Sequence, residues 1–484
     1  MYRTIAQLDG LSSALATWFP QYFDRVELPE PSVQGRPVYA LRMRAGEGED
    51  RRAVLLVGGT HARELMNPDA IVELAVDLLV SYENGSDIDY GGMNWPANTI
   101  KLILETLDIW LLPCSNPDGR QYVMTVDDLW RKNRRDNAGT NCEGVDLNRN
   151  LDFMWGVTEG QTSCSPCTDI YCGPEAFSEP ETRNVKHLLD SNDIDTFADV
   201  HSYSELILHP WGHAPTQTAD SSQRFTNLPT GTCTLIGIPG YQEYMPPRDL
   251  LRFETVGGQI VEDVADVRGR NYTSEPSLGL YATTGTHSDY VYGRHIADPG
   301  SHKTYGYTFE TGPWTGDPRT AFHPDDPEPI KLDAKAAMLS LIQQSICAIE
   351  LIGWELGSSA EVAFLRRIRD QLNESDAGKE WVAMFESQQS ALGRILLSDP
   401  ELAAQAARLL GAGKLLDADA VAADEDVDRA QELIRLLSER AESESLRNDL
   451  QRAGEELDQL RGVSRREAVK RLMDRPPEGG KSST

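Results

Sequence analysis

The stretch AVLLVGGTHARE, residues 53–64, opens with an unbroken apolar run, turns through two adjacent glycines and ends on an imidazole and a carboxylate. A short apolar run bounded by turn residues reads as a buried strand, which here delivers His61 and Glu64 to its carboxyl end. Three further runs have the same build: LDIWLLP (107–113), TFADV (196–200, then His201) and GYTFE (306–310). Amphipathic stretches lie between and around them at 69–82, 179–190 and 333–352. Strands alternating with helices of this length predict an α/β fold, a mixed and largely buried β-sheet flanked by helices.

A second architecture follows. Residues 386–484 contain no Phe, Trp, Tyr or Cys, and from Ser358 onward apolar residues such as Val362, Leu365, Ile368 and Leu372 recur three and four apart. That period predicts an all-α C-terminal segment. Ser358 with Glu361, and Ser464 with Glu467, have capping-box spacing, and SDPE at 398–401 offers an N-cap followed by Pro400 in the first turn. The expected division is 1–357, catalytic; 358–474, helical, of unknown role and with a surface for self-association; and 475–484, a Pro/Gly/Ser-rich disordered tail.

The 484 residues carry 46 Lys and Arg against 76 Asp and Glu, a formal charge of −30. Such a surface repels phosphate backbones, and no localised basic patch offsets it, so nucleic acid is excluded as an expected partner. No apolar stretch approaches the roughly 20 residues that span a bilayer. The opening MYRTIAQLDGL lacks the pattern of a signal segment, which by that criterion points to the cytoplasm. The cysteines pull the other way. Cys142, Cys164, Cys167 and Cys172 cluster, and read as disulfides in an exported protein, ahead of a structural zinc site or unpaired thiols.

What the apolar runs end on is chemical. His61, Glu64 and His201 supply two imidazoles and a carboxylate, the ligand set of a catalytic zinc with one position left open. Glu310, ending another run, is then the free carboxylate that takes a proton from an attacking water and returns it to a leaving amine. Ligands of open α/β sheets bind at strand carboxyl ends, so these four residues are expected to converge. HARE alone is a weak signal, and only the combination carries weight. His209, His213, His287 and His295 are assigned packing or surface roles. A cationic group, Arg134 in LWRKNRR with Asn148 and Arg149 in GVDLNRN, suits a substrate carboxylate, although salt bridges on an acidic protein would use the same residues.

Taken in order, QGRPVYAL (34–41), GGTHARE (58–64), CSNPDG (114–119), LWRKNRR (129–135), GVDLNRN (144–150), FSEPET (177–182), DVHSYSELILHPWG (199–212), LYATTGTHSDYVYG (280–293) and YTFETG (307–312) resemble the zinc metallocarboxypeptidases, the α/β exopeptidases that include carboxypeptidases A and B and bacterial carboxypeptidase T. The resemblance spans about residues 2–352. It implies one Zn²⁺ held by His61, Glu64 and His201, with Glu310 as general base and Arg134 polarising the scissile carbonyl. It further implies that Asn148, Arg149 and Tyr281 bind the terminal carboxylate of a peptide or protein, and that Arg63 is an auxiliary substrate contact. Ser288 falls at the position that sets side-chain preference in the family, where a small hydroxyl names no preferred residue.

The resemblance also implies a Cys142–Cys167 disulfide, leaving Cys164 and Cys172 as the second pair. The interval from Glu64 to His201 is longer than is usual in the family, with the excess assigned to a surface insertion at 158–175. A further insertion at 214–250 is expected on the rim of the cleft. Family habit, like the cysteines, favours export. The leading expectation is removal of single C-terminal residues. The alternatives are the same chemistry on peptidoglycan stem peptides or side-chain glutamates, and, remotely, a catalytically silent binding protein acting through its helical segment.

Overall fold

A computed structural model of the chain describes residues 2–46, 51–158, 160–228, 233, 239–356, 359–410 and 420–477. Two compact units emerge, one formed by Met1–Met245 and Val256–Ser345, the other by Pro246–Thr255 and Ile346–Thr484.

The first unit is built on an eight-stranded sheet. Its strands are β1 (Phe23–Glu27), β2 (Tyr39–Met43), β3 (Arg52–Gly58), β4 (Leu107–Leu112), β5 (Ile194–His201), β6 (Leu206–His209), β7 (Thr273–Pro276) and β8 (Tyr305–Glu310), in spatial order β1-β2-β4-β3-β5-β8-β6-β7. The central pairs β4–β3, β3–β5 and β5–β8 are parallel, as is β6–β7. β1–β2, β2–β4 and β6–β8 are antiparallel, so the sheet is mixed as expected. Every residue of β4 and β8 is buried, which is why these strands read as mostly apolar runs without strict alternation.

The helices are α1 (Ile5–Trp18), α2 (Met66–Asn84), α3 (Ala97–Thr106), α4 (Pro117–Thr125), α5 (Pro180–Ser191), α6 (Pro247–Arg268), α7 (His287–Ala297), α8 (Pro318–Phe322) and α9 (Glu328–Gln344). α2 packs on β3 and α9, and α7 packs on β5 and β8. The stretches expected at 69–82 and 179–190 are α2 and α5. The one at 333–352 is corrected to two helices, α9 and α10 (Ala348–Leu356). Hydropathy carries across the break, but the Glu350 carboxylate accepts from the Cys347 N–H at 3.3 Å and restarts the helix there.

In the second unit, α10 is followed by α11 (Ser359–Leu372), α12 (Asp376–Ser398), α13 (Pro400–Leu410), α14 (Asp424–Arg440), α15 (Glu444–Gln459) and α16 (Arg465–Asp474). Leu396, Leu402, Ala406, Val427, Leu446 and Leu450 are among its buried apolar residues. Ser464 caps α16 through the Glu467 N–H, and Asp399 caps α13 through the Leu402 N–H. The proposed cap at Ser358 and residues 478–484 of the expected tail lie outside the described residues. No single helix, among the described residues, is long and apolar enough to cross a membrane.

Cys142 and Cys167 are disulfide-bonded, as the family resemblance implied. The second pair is corrected: Cys164 joins Cys233, 69 residues away in sequence. Cys172 is a buried free thiol whose own N–H bonds the Ser163 carbonyl at 2.9 Å. That bond ties the two limbs of the loop together and turns the Cys172 side chain into the interior. With two disulfides formed, a four-cysteine zinc site is ruled out.

Candidate active site

The site begins where β3 ends. A Cβ on Gly58 would lie 2.6 Å from Ile71 Cδ1, and Gly59 adopts φ +65° with Cys114 and Pro68 against it. Only glycine meets both conditions without strain, so the Gly-Gly pair makes the turn that carries His61 and Glu64 inward. β5 and β8 run parallel with Glu310 in register with His201, and β3 lies on the other side of β5 with Gly58 in register with Val200. Three adjacent parallel strands therefore bring four functional side chains to one edge of the sheet.

His61, Glu64 and His201 converge there, with one ligand atom of each within 4.8 Å of the others. His61 Nδ1 lies 2.8 Å from Glu64 Oε1, His201 Nδ1 lies 3.0 Å from Glu64 Oε2, and the two Nδ1 atoms are 3.0 Å apart. Burial pulls the His61 imidazole down from its ordinary value. Burial also opposes ionisation of Glu64, but the two imidazoles outweigh it and hold the carboxyl at about 2. Glu310 is buried too, and desolvation pushes it up to about 8 against the pull of His201.

Each histidine is backed by a carboxylate. His61 Nε2 lies 3.2 Å from Asp146 Oδ1, and His201 Nε2 lies 2.7 Å from Asp199 Oδ2. Those partners turn both Nδ1 atoms toward Glu64. Two imidazoles and an ionised carboxylate, buried and oriented from behind, fit a zinc ion with one direction open to a pocket.

The pocket beside the cluster has a volume of about 400 Å³ and is lined by His61, Glu64 and Glu310 together with Arg63, Arg149 and Tyr281. These six are brought together as expected from sequence. Arg134 is the correction. Its guanidinium stacks over the Tyr122 and Trp130 rings, 3.6 Å and 4.6 Å from their centroids, and pairs with Glu143, and it does not line the pocket. Arg131 lines it instead. The Arg131 Nε donates to Asp146 at 3.0 Å, and its carbonyl accepts from the Ala62 N–H at 2.9 Å, pinning the LWRKNRR segment against HARE. Sequence spacing could not choose among three arginines in that segment; the Ala62–Arg131 bond does.

Two further expectations change. Asn148 is not among the pocket-lining residues. Its Oδ1 accepts from the His287 N–H at 2.9 Å, and its Nδ2 lies 3.4 Å from His201 Nε2. Ser288 is 2% exposed in the first turn of α7, also off the pocket lining. None of the described residues of 214–250 lines this pocket, whereas Gln161, Asp169 and Ile170 of the 158–175 stretch do. That stretch is wall: the Gln161 N–H bonds the Ala282 carbonyl at 2.8 Å, next to Tyr281, and its own carbonyl accepts from Arg149 Nε at 2.6 Å. Sequence reading also missed Asp199, although strand alternation puts residues two apart on one face of β5 and so beside His201.

The family description "Zinc carboxypeptidase" matches residues 12–336. Carboxypeptidase A4 of Mus musculus is 29% identical over 299 residues, covering 61% of this chain and 59% of that protein. Carboxypeptidase B of Astacus astacus is 30% identical over 313 residues, covering 64% of this chain and 86% of that protein. An "Inactive metallocarboxypeptidase ECM14" of Blastomyces gilchristii is 29% identical over 252 residues, covering 50% of this chain and 40% of that protein. Thus the chain spans less than two thirds of the length of several relatives it matches. The crystal structure of thrombin activatable fibrinolysis inhibitor shares the fold at a TM-score of 0.56 and 22% identity, covering 71% of this chain and 74% of that one. By its motifs, its sheet and this match over most of its length, the chain belongs to the zinc carboxypeptidase family.

Proposed function

We propose that this chain is a zinc-dependent metallocarboxypeptidase that hydrolyses the C-terminal peptide bond of peptides or proteins. The observation that carries the reading is the juxtaposition of His61, Glu64 and His201 with a fourth acid, Glu310, on the neighbouring strand and in register with His201. A zinc ion, when bound by the three ligands, supplies a Lewis acid for the scissile carbonyl and acidifies a water. Glu310, facing the same pocket, accepts the proton as that water attacks and hands it to the departing amine. Arg131, in place of Arg134, stabilises the negative charge that develops on the scissile oxygen. Arg149 and Tyr281 receive the terminal carboxylate, and Arg63 contacts the substrate further out. Asn148, bonded to His287, and Ser288, buried in α7, lie outside the pocket lining and are assigned no substrate contact. Two disulfides fit a protein that works in an oxidising compartment.

The test is Glu310→Gln. The variant is expected to hold as much zinc as the parent while kcat falls by two or more orders of magnitude, about the contribution of a general base. Equal turnover in parent and variant rejects the mechanism. Equal cleavage of peptides with free and amidated C-termini rejects the exopeptidase assignment.

A further inference from the structure

Behind the site lies a closed group of buried polar side chains in which one carboxylate serves two histidines. Asp199 Oδ2 lies 2.7 Å from His201 Nε2 and 2.9 Å from His287 Nδ1, and Asp199 Oδ1 accepts from the Thr60 hydroxyl at 2.9 Å. His287 closes the group: its Nδ1 lies 3.2 Å from Asn148 Oδ1, and its ring stacks on Phe197 with an interplanar angle of 18°. Thr60, Asp199, His201 and His287 are each at most 1% exposed. They come from three elements: the turn after β3, the end of β5 and the first residue of α7. A carboxylate with no access to water keeps one orientation only where fixed partners surround it, and Asp199 has Thr60 on one oxygen and both imidazoles on the other.

We propose that Asp199 and His287 are a positioning pair for the metal ligand His201. The Asp199 carboxylate, 2.7 Å from His201 Nε2, favours the form with its proton on that nitrogen and leaves Nδ1 directed at Glu64. His287 holds Asp199 in the plane that this requires and keeps Asn148 turned away from the pocket. Neither residue touches substrate or reacting atoms. The pair rests on the zinc reading above, since it acts on a residue assigned there as a ligand.

The experiment is chelator-competition measurement of zinc affinity on the full chain, with the melting temperature of the metal-free protein recorded in parallel. The parent is measured first: a parent that binds no zinc refutes the zinc reading, independently of this pair. Given binding, Asp199→Asn is expected to weaken zinc affinity by about 10- to 100-fold, the usual cost of losing such an outer partner. His287→Phe, which keeps a ring against Phe197 but removes Nδ1, is expected to weaken it in the same direction. The double variant is expected to lose no more than Asp199→Asn alone, because both changes act through one carboxylate. Parent-like affinity in Asp199→Asn, or additive losses in the double variant, overturns the proposal. Should Asp199→Asn fail to fold, parent-like affinity in His287→Phe overturns it equally.

Discussion

Replacing Arg131 and Arg134 separately by methionine separates the arginine of the pocket from the one that sequence spacing favoured. Arg131 is 8% exposed and its guanidinium meets Asp146, itself fully buried, at 2.9–3.0 Å. Removing it leaves a buried carboxylate short of its cationic partner, a loss of about 3–5 kcal/mol in stability. In the proposed mechanism the same substitution also removes charge stabilisation at the scissile oxygen, and kcat is expected to fall about 100- to 1,000-fold. Arg134 pairs with Glu143, whose side chain is 49% exposed, and covers two aromatic rings. The Arg134 side chain is largely buried but its partner is solvated, so the pair contributes about 0–1 kcal/mol and cation–π stacking about 0.5–2 kcal/mol, and Arg134→Met is expected to lower stability modestly and leave kcat/KM within about tenfold of the parent. The assay is steady-state hydrolysis of one peptide with a free C-terminus, with zinc content and thermal midpoint measured on the same preparations. A larger kinetic loss in Arg134→Met than in Arg131→Met would refute the assignment drawn from the structure.

Other consequences are open to measurement. Burial pushes the Glu181 carboxyl up to about 7, whereas the unfolded chain gives up that proton near 4.5. The folded state therefore binds more protons between those values, and stability from this group is full below pH 4.5 and lost as pH rises through 7. Glu181→Gln is expected to gain stability relative to the parent between pH 5 and pH 8, by up to a few kcal/mol, and a constant difference across that range would exclude the effect. Thiol titration of unreduced, denatured protein is expected to find Cys114, Cys172 and Cys347 reactive and Cys233 protected. A labelled Cys233 would restore the Cys164–Cys172 pairing. Gly59→Ala places a side chain at φ +65° against Cys114 and Pro68, and is expected to cost about 1–3 kcal/mol and to weaken zinc binding by displacing His61. Unchanged calorimetric stability counts against that account.

Much of the architecture was legible because burial writes itself into composition. β3, β4, β5 and β8 are largely buried on both faces and appear as short, mostly apolar runs, and the polar residues at or just beyond the ends of three of them gather at the candidate site. His61, Glu64, His201 and Glu310 could be named because the chemistry needs those side chains and parallel strands deliver them to one edge. The helical period of 359–474 was equally plain. Where the sequence offered equivalent candidates, it gave no means of choosing. Three arginines within LWRKNRR differ only in which backbone the segment docks against, and a hydrogen bond from Ala62 to Arg131 selects the first. The partner of Cys164 depended on a residue in a separate insertion, and the break between α9 and α10 on a single carboxylate cap. Which side chains meet at the sheet edge could be read from the chain alone, because strand length and apolar burial are local properties. What joins Asp199 there was settled by the tertiary fold, because His287 reaches that buried carboxylate, and Asn148 reaches His287, only when elements distant in sequence come together.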